Sequence, residues 1–170
     1  RKVGYFDENN GIFLYTYQND IGVAIRSSTT GVPIDTNIAQ DNWNIDKLDG
    51  AGASGIILDL VKSQILVIDF EWLAVGRVRI GFVIDGLVYY VHEFLHSNKH
   101  TGVYMSTPNL PLRYEIESLG EGLGSYDGYL ECICCAVISE GGQETLGGLT
   151  YISTSPTHCL LYTSPSPRDS

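Results

Sequence analysis

Residues 78–94 read VRIGFVIDGLVYYVHEF, and this stretch decides the fold. Both of its halves are rich in β-branched and aromatic residues, which favour strands. Between the halves stands Asp85-Gly86, and a two-residue Asp-Gly connection is the strongest short-range signal for a β-hairpin. The stretch therefore predicts strands over residues 78–84 and 87–94. The register that follows from this turn pairs Ile84 with Leu87, Phe82 with Tyr89, Ile80 with Val91 and Val78 with Glu93 on one face, and Val83 with Val88, Gly81 with Tyr90, Arg79 with His92 and Arg77 with Phe94 on the other.

Further strand patterns lie on both sides of this hairpin. Residues 11–18 and 21–27 predict a second hairpin, and residues 41–55 form a polar, glycine-rich stretch that we interpret as a long loop with Trp43 in the core. The remaining predicted strands cover residues 34–40 at a sheet edge, 56–60, 64–72, 112–118 and 130–139. These roughly eight to ten short strands, with no convincing helix, predict an all-β fold, an antiparallel β-sandwich or a barrel.

Composition narrows the class of protein. The chain has 170 residues, 44% of them hydrophobic, which suffices for one domain with a sizeable core. Its formal net charge of −10 argues against nucleic acid or an anionic membrane surface as a partner. No apolar run approaches the roughly 18–20 residues that a membrane helix needs. We therefore expect neither a nucleic-acid partner nor a membrane partner.

The two ends of the chain need separate treatment. The chain begins with Arg1 rather than methionine, and we interpret its last residues as an artefact. We therefore expect residues 1–150 to form a single β-sandwich domain that is truncated at both ends. Residues 151–170 are rich in serine and proline, which is typical of a disordered tail. Within this tail, residues 159–170 read CLLYTSPSPRDS and resemble a translated sequencing adapter. We interpret that segment as an artefact and leave it out of fold reasoning.

Three cysteines remain outside the tail: Cys132, Cys134 and Cys135. Residues so close together on one strand rarely meet disulfide geometry, and a C-x-C-C cluster without a second pair is a weak zinc signal. We therefore predict buried free thiols.

The string His92-Glu93-Phe94-Leu95-His96 matches H-E-x-x-H, the pattern of zinc metalloproteases. That chemistry requires a helix, which brings the two histidines onto one face. On the predicted strand the histidines stand about 13 Å apart, and Glu93 points to the opposite face. We interpret the match as a decoy and expect no metal site; a zinc metallohydrolase is the remote alternative.

A second possible catalytic group is the carboxylate pair Asp69 and Glu71, two residues apart on a predicted strand. Their separation of about 7 Å is compatible with an inverting glycosidase. Carboxylates that alternate along a strand are more often its solvated face, or ion-pair partners of neighbouring cations such as Arg77 and Arg79. We therefore assign no catalytic residue and expect no enzyme.

Several stretches resemble uncharacterised virion structural proteins of aquatic phages and other environmental viruses. The resemblance lies in residues 42–50 (NWNIDKLDG) with Ser54-Gly55, 70–73 (FEWL), 76–86 (GRVRIGFVIDG), 104–111 (YMSTPNLP) and 138–142 (ISEGG). Ala74 stands where such proteins usually have glycine, and Cys134-Cys135 where they have smaller polar residues. The resemblance implies a non-enzymatic virion protein, structural or for attachment, with a jelly-roll or concanavalin A-like lectin sandwich. It also implies partners among its own copies or other virion proteins, and makes His96 incidental.

Aromatic residues are the candidate contacts of such a protein. Tyr89, Tyr90, Tyr104, Tyr114 and Trp43 are candidates for binding a subunit or a sugar, and the alternative is that the tyrosines are half-buried sheet residues. A carbohydrate-binding, lectin-like module is the alternative function. It would hold glycan with or without calcium, for which the oxygen ligands would be Asp46, Asp49 and Asp59, although the EF-hand spacing is absent. We expect no cofactor.

Overall fold

The computed structural model describes residues 1–17, 20–117 and 129–138. The chain divides into two compact units, Arg1–Cys132 and Ile133–Ser170. Of the second unit the structure describes residues 133–138, which have no regular secondary structure. The predicted domain end at residue 150, the tail over 151–170 and the adapter segment over 159–170 all lie outside the described residues.

The first unit contains a five-stranded antiparallel sheet. Its strands are β1 (Lys2–Phe6), β2 (Gly11–Tyr17), β3 (Asp20–Ser27), β4 (Ile34–Ala39) and β8 (Leu112–Glu115). Their order in the sheet is β4-β3-β2-β1-β8, and all neighbours run antiparallel. A 3₁₀ turn, Gln40–Asn42, follows β4.

A second antiparallel sheet has three strands, β5 (Ile65–Phe70), β6 (Val78–Ile84) and β7 (Leu87–Phe94), in that order. The two sheets pack face to face, since their inner side chains form one buried cluster, and the ring of Tyr5 stacks on that of Phe70 at 5.5 Å. The all-β antiparallel sandwich is therefore confirmed, whereas the jelly-roll or concanavalin-like connection stays a prediction. The cluster includes Ile12, Leu14 and Val23 from the large sheet and Ile80, Phe82 and Val91 from the small one.

The Asp85-Gly86 hairpin forms as predicted, and both turn residues have the positive φ that a type I′ turn requires. The predicted register holds from Ile84–Leu87 to Gly81–Tyr90. Beyond that point it is wrong, because a β-bulge inserts Val91 as an extra residue. The bulge buries two successive side chains, Val91 and His92. Ile80 consequently pairs with His92, Arg79 with Glu93 and Val78 with Phe94.

The other predicted strands are confirmed in part. Residues 11–17, 20–27, 34–39, 65–70 and 112–115 form strands, and Trp43 is buried in the loop as expected. Residues 56–60 were predicted wrongly: they hold one isolated bridge, between Asp49 and Ile57, because their backbone bonds to the preceding loop through Leu58 N and Leu48 O. Strand β1, over Lys2–Phe6, was not predicted from the sequence.

The segment 129–138 also differs from its prediction. No strand forms over residues 130–138, and Cys132, Cys134 and Cys135 are free but exposed. The prediction of buried thiols is therefore wrong, since it rested on a strand that does not form. Among the residues that the structure describes, no helix has the length and apolar character to cross a membrane.

Candidate functional site

The H-E-x-x-H residues do not adopt the metalloprotease arrangement. His92 and Glu93 belong to strand β7, and His96 lies beyond its end. Each imidazole is held by backbone: His92 Nδ1 accepts a hydrogen bond from Asn44 N at 3.3 Å, and His96 Nδ1 lies 2.8 Å from Gly76 O, to which it donates. Burial lowers the pKa of both histidines. Without a helix, the side chains of His92 and His96 contribute local packing and hydrogen bonds.

The outer edge of β7 is covered by the loop that carries Asn44. The side-chain amide of Asn44 forms hydrogen bonds with both backbone groups of Glu93: Nδ2 donates to Glu93 O at 2.9 Å, and Oδ1 accepts from Glu93 N at 2.9 Å. The N–H groups of Ile45 and Asp46 donate to the carbonyl of the bulged Val91, at 3.1 and 3.2 Å. The loop therefore replaces a neighbouring strand at the bulge.

The three calcium candidates serve their own turns. Asp46 is buried and accepts hydrogen bonds from Leu48 N at 2.9 Å and Ser54 N at 2.7 Å. Burial alone would raise the pKa of Asp46, but these bonds outweigh it and hold that pKa below its ordinary value. Asp49 and Asp59 each accept one bond from a backbone N–H two residues on. Within the described ranges, no group of three or more His, Cys, Asp or Glu side chains could hold a metal.

The carboxylate pair is engaged with arginines, as one interpretation predicted. Asp69 bonds to Arg79, whose Nε lies 3.0 Å from Oδ2, and it also accepts from Tyr90 OH at 3.2 Å. The Arg79 guanidinium lies 4.0 Å from the centroid of the Tyr90 ring. Glu71 pairs with Arg77 at 3.0 Å. The pair therefore stabilises the outer side of the small sheet.

The candidate aromatic contacts are spread over the molecule. Tyr90 lies on β7 among these charges, Tyr89 packs partly against the core, and Tyr114 lies on β8 of the other sheet. Trp43 and Tyr104 are only 4% and 8% exposed, and a binding role for them stays a prediction. Burial, with a smaller contribution from Glu71, raises the pKa of Tyr104 to about 12. The five residues do not form a common binding surface.

A cleft of about 440 Å³ lies at the end of the sandwich away from the Asp85-Gly86 turn. Strands β3 and β4 form one side of it, and the end of β7 with residues 95–104 forms the other. Sequence reasoning missed this site because no local pattern joins these segments. Its lining residues are Ile25, Ser27, Thr36, Glu93, Phe94, Leu95, His96, His100, Thr101, Gly102, Val103 and Tyr104.

Stacked rings form the floor of this cleft. The His96 ring stacks on Tyr104 with a centroid distance of 4.1 Å and an interplanar angle of 17°. Phe94 is nearly parallel to His96 at 6.5 Å, and His100 lies 5.5 Å away. Tyr104 N donates to Ala74 O at 2.8 Å, so two loops hold the rings in place.

The lining residues offer polar groups that could bind a ligand. Ser27, Thr36 and Thr101 carry hydroxyl groups that donate and accept hydrogen bonds, and Glu93 adds the one acidic side chain among the lining residues. No lysine or arginine belongs to that lining set. No protein-family model, no curated protein and no solved structure matches this chain.

Proposed function

We propose that this chain is a non-enzymatic structural or attachment protein of a virus particle and that it acts by packing against further copies of itself. The viral assignment rests on the sequence resemblance of residues 42–50, 70–73, 76–86, 104–111 and 138–142. The packing rests on one observation: among the described residues, β5 at the edge of the three-stranded sheet pairs with a strand on one side only.

The two edges of this sheet differ. The β7 edge is covered by the amide of Asn44. Strand β5, in contrast, pairs only with β6 among the described residues, so half of its backbone N–H and C=O groups point outward. Such an edge is a template for a further strand. Because an antiparallel edge is complementary to itself about a two-fold axis, a second copy of β5 fits it.

The surface next to this edge supports the same partner. Ile65 on β5 is 61% exposed. It begins a row of apolar side chains across the sheet, which runs through Val83 on β6 to Val88 on β7, itself 46% exposed. This row carries no charge, although the whole chain has a net charge of −10. Two copies of an acidic chain repel each other least where they meet through an uncharged surface.

Sedimentation of the full chain tests this proposal. We expect a concentration-dependent dimer that Ile65→Lys converts to a monomer, because a lysine at a strand edge opposes further pairing. Leu73→Lys is the matched control, since Leu73 is 79% exposed but lies in the turn at the opposite end of the sheet. It should leave the dimer intact. A wild-type chain that stays monomeric at every concentration tested would overturn the proposal.

A further inference from the structure

We propose that the cleft at the His96 end of the sandwich binds a neutral saccharide, without a metal ion. This inference goes beyond self-association and does not depend on it, because the cleft and the β5 row at Ile65 lie at opposite ends of the small sheet. The volume of about 440 Å³ falls within the roughly 300–1,000 Å³ of small-molecule sites.

The ring faces provide the apolar part of a sugar site. The imidazole of His96 is fixed between the Tyr104 ring, at 4.1 Å, and the bond to Gly76 O, at 2.8 Å. His100 is exposed and lies 5.5 Å from it. The His96 and Tyr104 rings are each only 8% exposed. The C–H face of a pyranose would therefore pack against the more open rings of the lining, Phe94 and His100. Because the rings are already held by protein contacts, little conformational entropy is lost on binding.

The polar lining matches hydroxyl groups. Ser27 and Thr36 lie on the side of the large sheet, and Thr101 lies across from them on the 95–104 loop. A hydroxyl both donates and accepts, which is the pairing that sugar hydroxyls require. The Ser27 hydroxyl is already hydrogen-bonded to that of Thr29 at 2.9 Å, so Thr36 and Thr101 are the main hydroxyl contacts. Glu93 adds a residue whose carboxylate only accepts when ionised. Polar groups on two opposite walls would fix the orientation of a small polyol.

The charge of the lining selects for a neutral ligand. The residues around the cleft include no lysine or arginine and one acid, Glu93. Burial lowers the pKa of His96, so that its imidazole is neutral near pH 7. A phosphate, a uronic acid or a sialic acid would meet no lysine or arginine there and would be repelled by the net charge of −10.

The site does not depend on calcium. Asp46, Asp49 and Asp59, the oxygen ligands that a calcium-dependent lectin would need, are engaged with backbone N–H groups of their own turns. None of the three belongs to the cleft lining. Sugar binding should therefore be insensitive to a chelator.

The experiment is an NMR titration of the ¹⁵N-labelled full chain with glucose, with N-acetylglucosamine and with glucuronic acid as the anionic counterpart of glucose. We expect at least one neutral sugar to shift the amide signals of His100 and Thr101, with and without EDTA, and glucuronic acid to bind more weakly. His100→Ala removes an exposed lining ring, and Thr36→Val replaces an exposed lining hydroxyl with a methyl group. Each should weaken binding about tenfold, the cost of roughly one hydrogen bond. Lys99→Ala, an exposed neighbour outside the lining, is the control and should bind normally.

Several outcomes would overturn the inference. They are the absence of shifts with both neutral sugars, equal binding of glucuronic acid, loss of binding with EDTA, or unchanged affinity in both His100→Ala and Thr36→Val. The result is distinguishable from that of the self-association test. Ile65 does not line the cleft, so the Ile65→Lys variant should bind sugar as the wild type does.

Discussion

The side-chain amide of Asn44 forms two hydrogen bonds with the backbone of Glu93, each 2.9 Å long. An amide in this position imitates the peptide group of a neighbouring strand, since it offers one donor and one acceptor. The backbone N–H of the same asparagine donates to His92 Nδ1. One loop residue therefore covers the edge of β7 beside the bulge and determines which nitrogen of His92 carries the proton.

Asn44→Ala should destabilise the fold by about 1–2 kcal/mol, because two backbone groups of Glu93 lose their partners at a partly solvated edge. Asn44→Asp should cost a similar amount, since the carboxylate keeps the acceptor but loses the donor. Urea unfolding measures both free energies. Asn42→Ala, an exposed residue of the adjacent 3₁₀ turn, is the matched control; a loss there as large as at Asn44 would contradict a specific role of the amide.

The two buried histidines make stability depend on pH. Burial lowers the pKa of His92 and of His96 from the ordinary value of 6.5, so the fold keeps them neutral while the unfolded chain takes up protons. The contribution of these histidines to the free energy of unfolding is therefore highest above pH 6.5. It falls as the pH drops below that value, by up to about 1.4 kcal/mol per pH unit for each histidine. Protonation of His92 would also remove the acceptor at Nδ1 that Asn44 N uses.

Urea unfolding between about pH 7 and about pH 5 tests this dependence. His92→Gln should give a lower stability at neutral pH but a shallower slope, because one proton-binding group is removed. Lys99→Gln changes an exposed side chain that carries no imidazole and should keep the wild-type slope. A slope that is equal in His92→Gln and the wild type would contradict the assignment to His92.

The hairpin was predictable because its signal is local: Asp85-Gly86 specifies the turn, and β-branched residues specify both strands. The bulge was not predictable from the same stretch. It depends on burying both Val91 and His92, and on a loop some 47 residues earlier that donates to Val91 O and His92 Nδ1. The period-2 pattern of a single strand contains neither contact.

The cleft at the His96 end of the sandwich was also not predictable from a local sequence pattern. Burial of Trp43 followed from its position in a polar loop, but the cleft arises where the 95–104 loop meets the turn at Ala74 through Tyr104 N. That contact lies between segments with no shared periodicity. The tyrosines selected by type alone were scattered, because residue type does not determine which sheet face a side chain occupies.

Gly11→Ala should destabilise the large sheet by about 1–3 kcal/mol through overpacking. Phe6 lies directly across from Gly11, and a Cβ at Gly11 would stand 2.0 Å from the Phe6 Cβ. Gly102→Ala is the control for stability, since nothing lies within 4 Å of its added Cβ. Thermal unfolding should lower the Tm of the first variant and leave that of the second near the wild-type value; equal values would show that Phe6 can move aside.

Asp46→Ala should cost about 2–3 kcal/mol, because it leaves the N–H groups of Leu48 and Ser54 without partners in a buried loop. Asp49→Ala removes one exposed bond, from Ala51 N, and should cost less than about 1 kcal/mol. Urea unfolding measures the difference. Because both oxygens of Asp46 are already engaged, adding calcium chloride should leave the Tm of the wild type unchanged. A calcium-dependent rise in Tm that disappears in Asp46→Ala would mean that this carboxylate is a metal ligand instead.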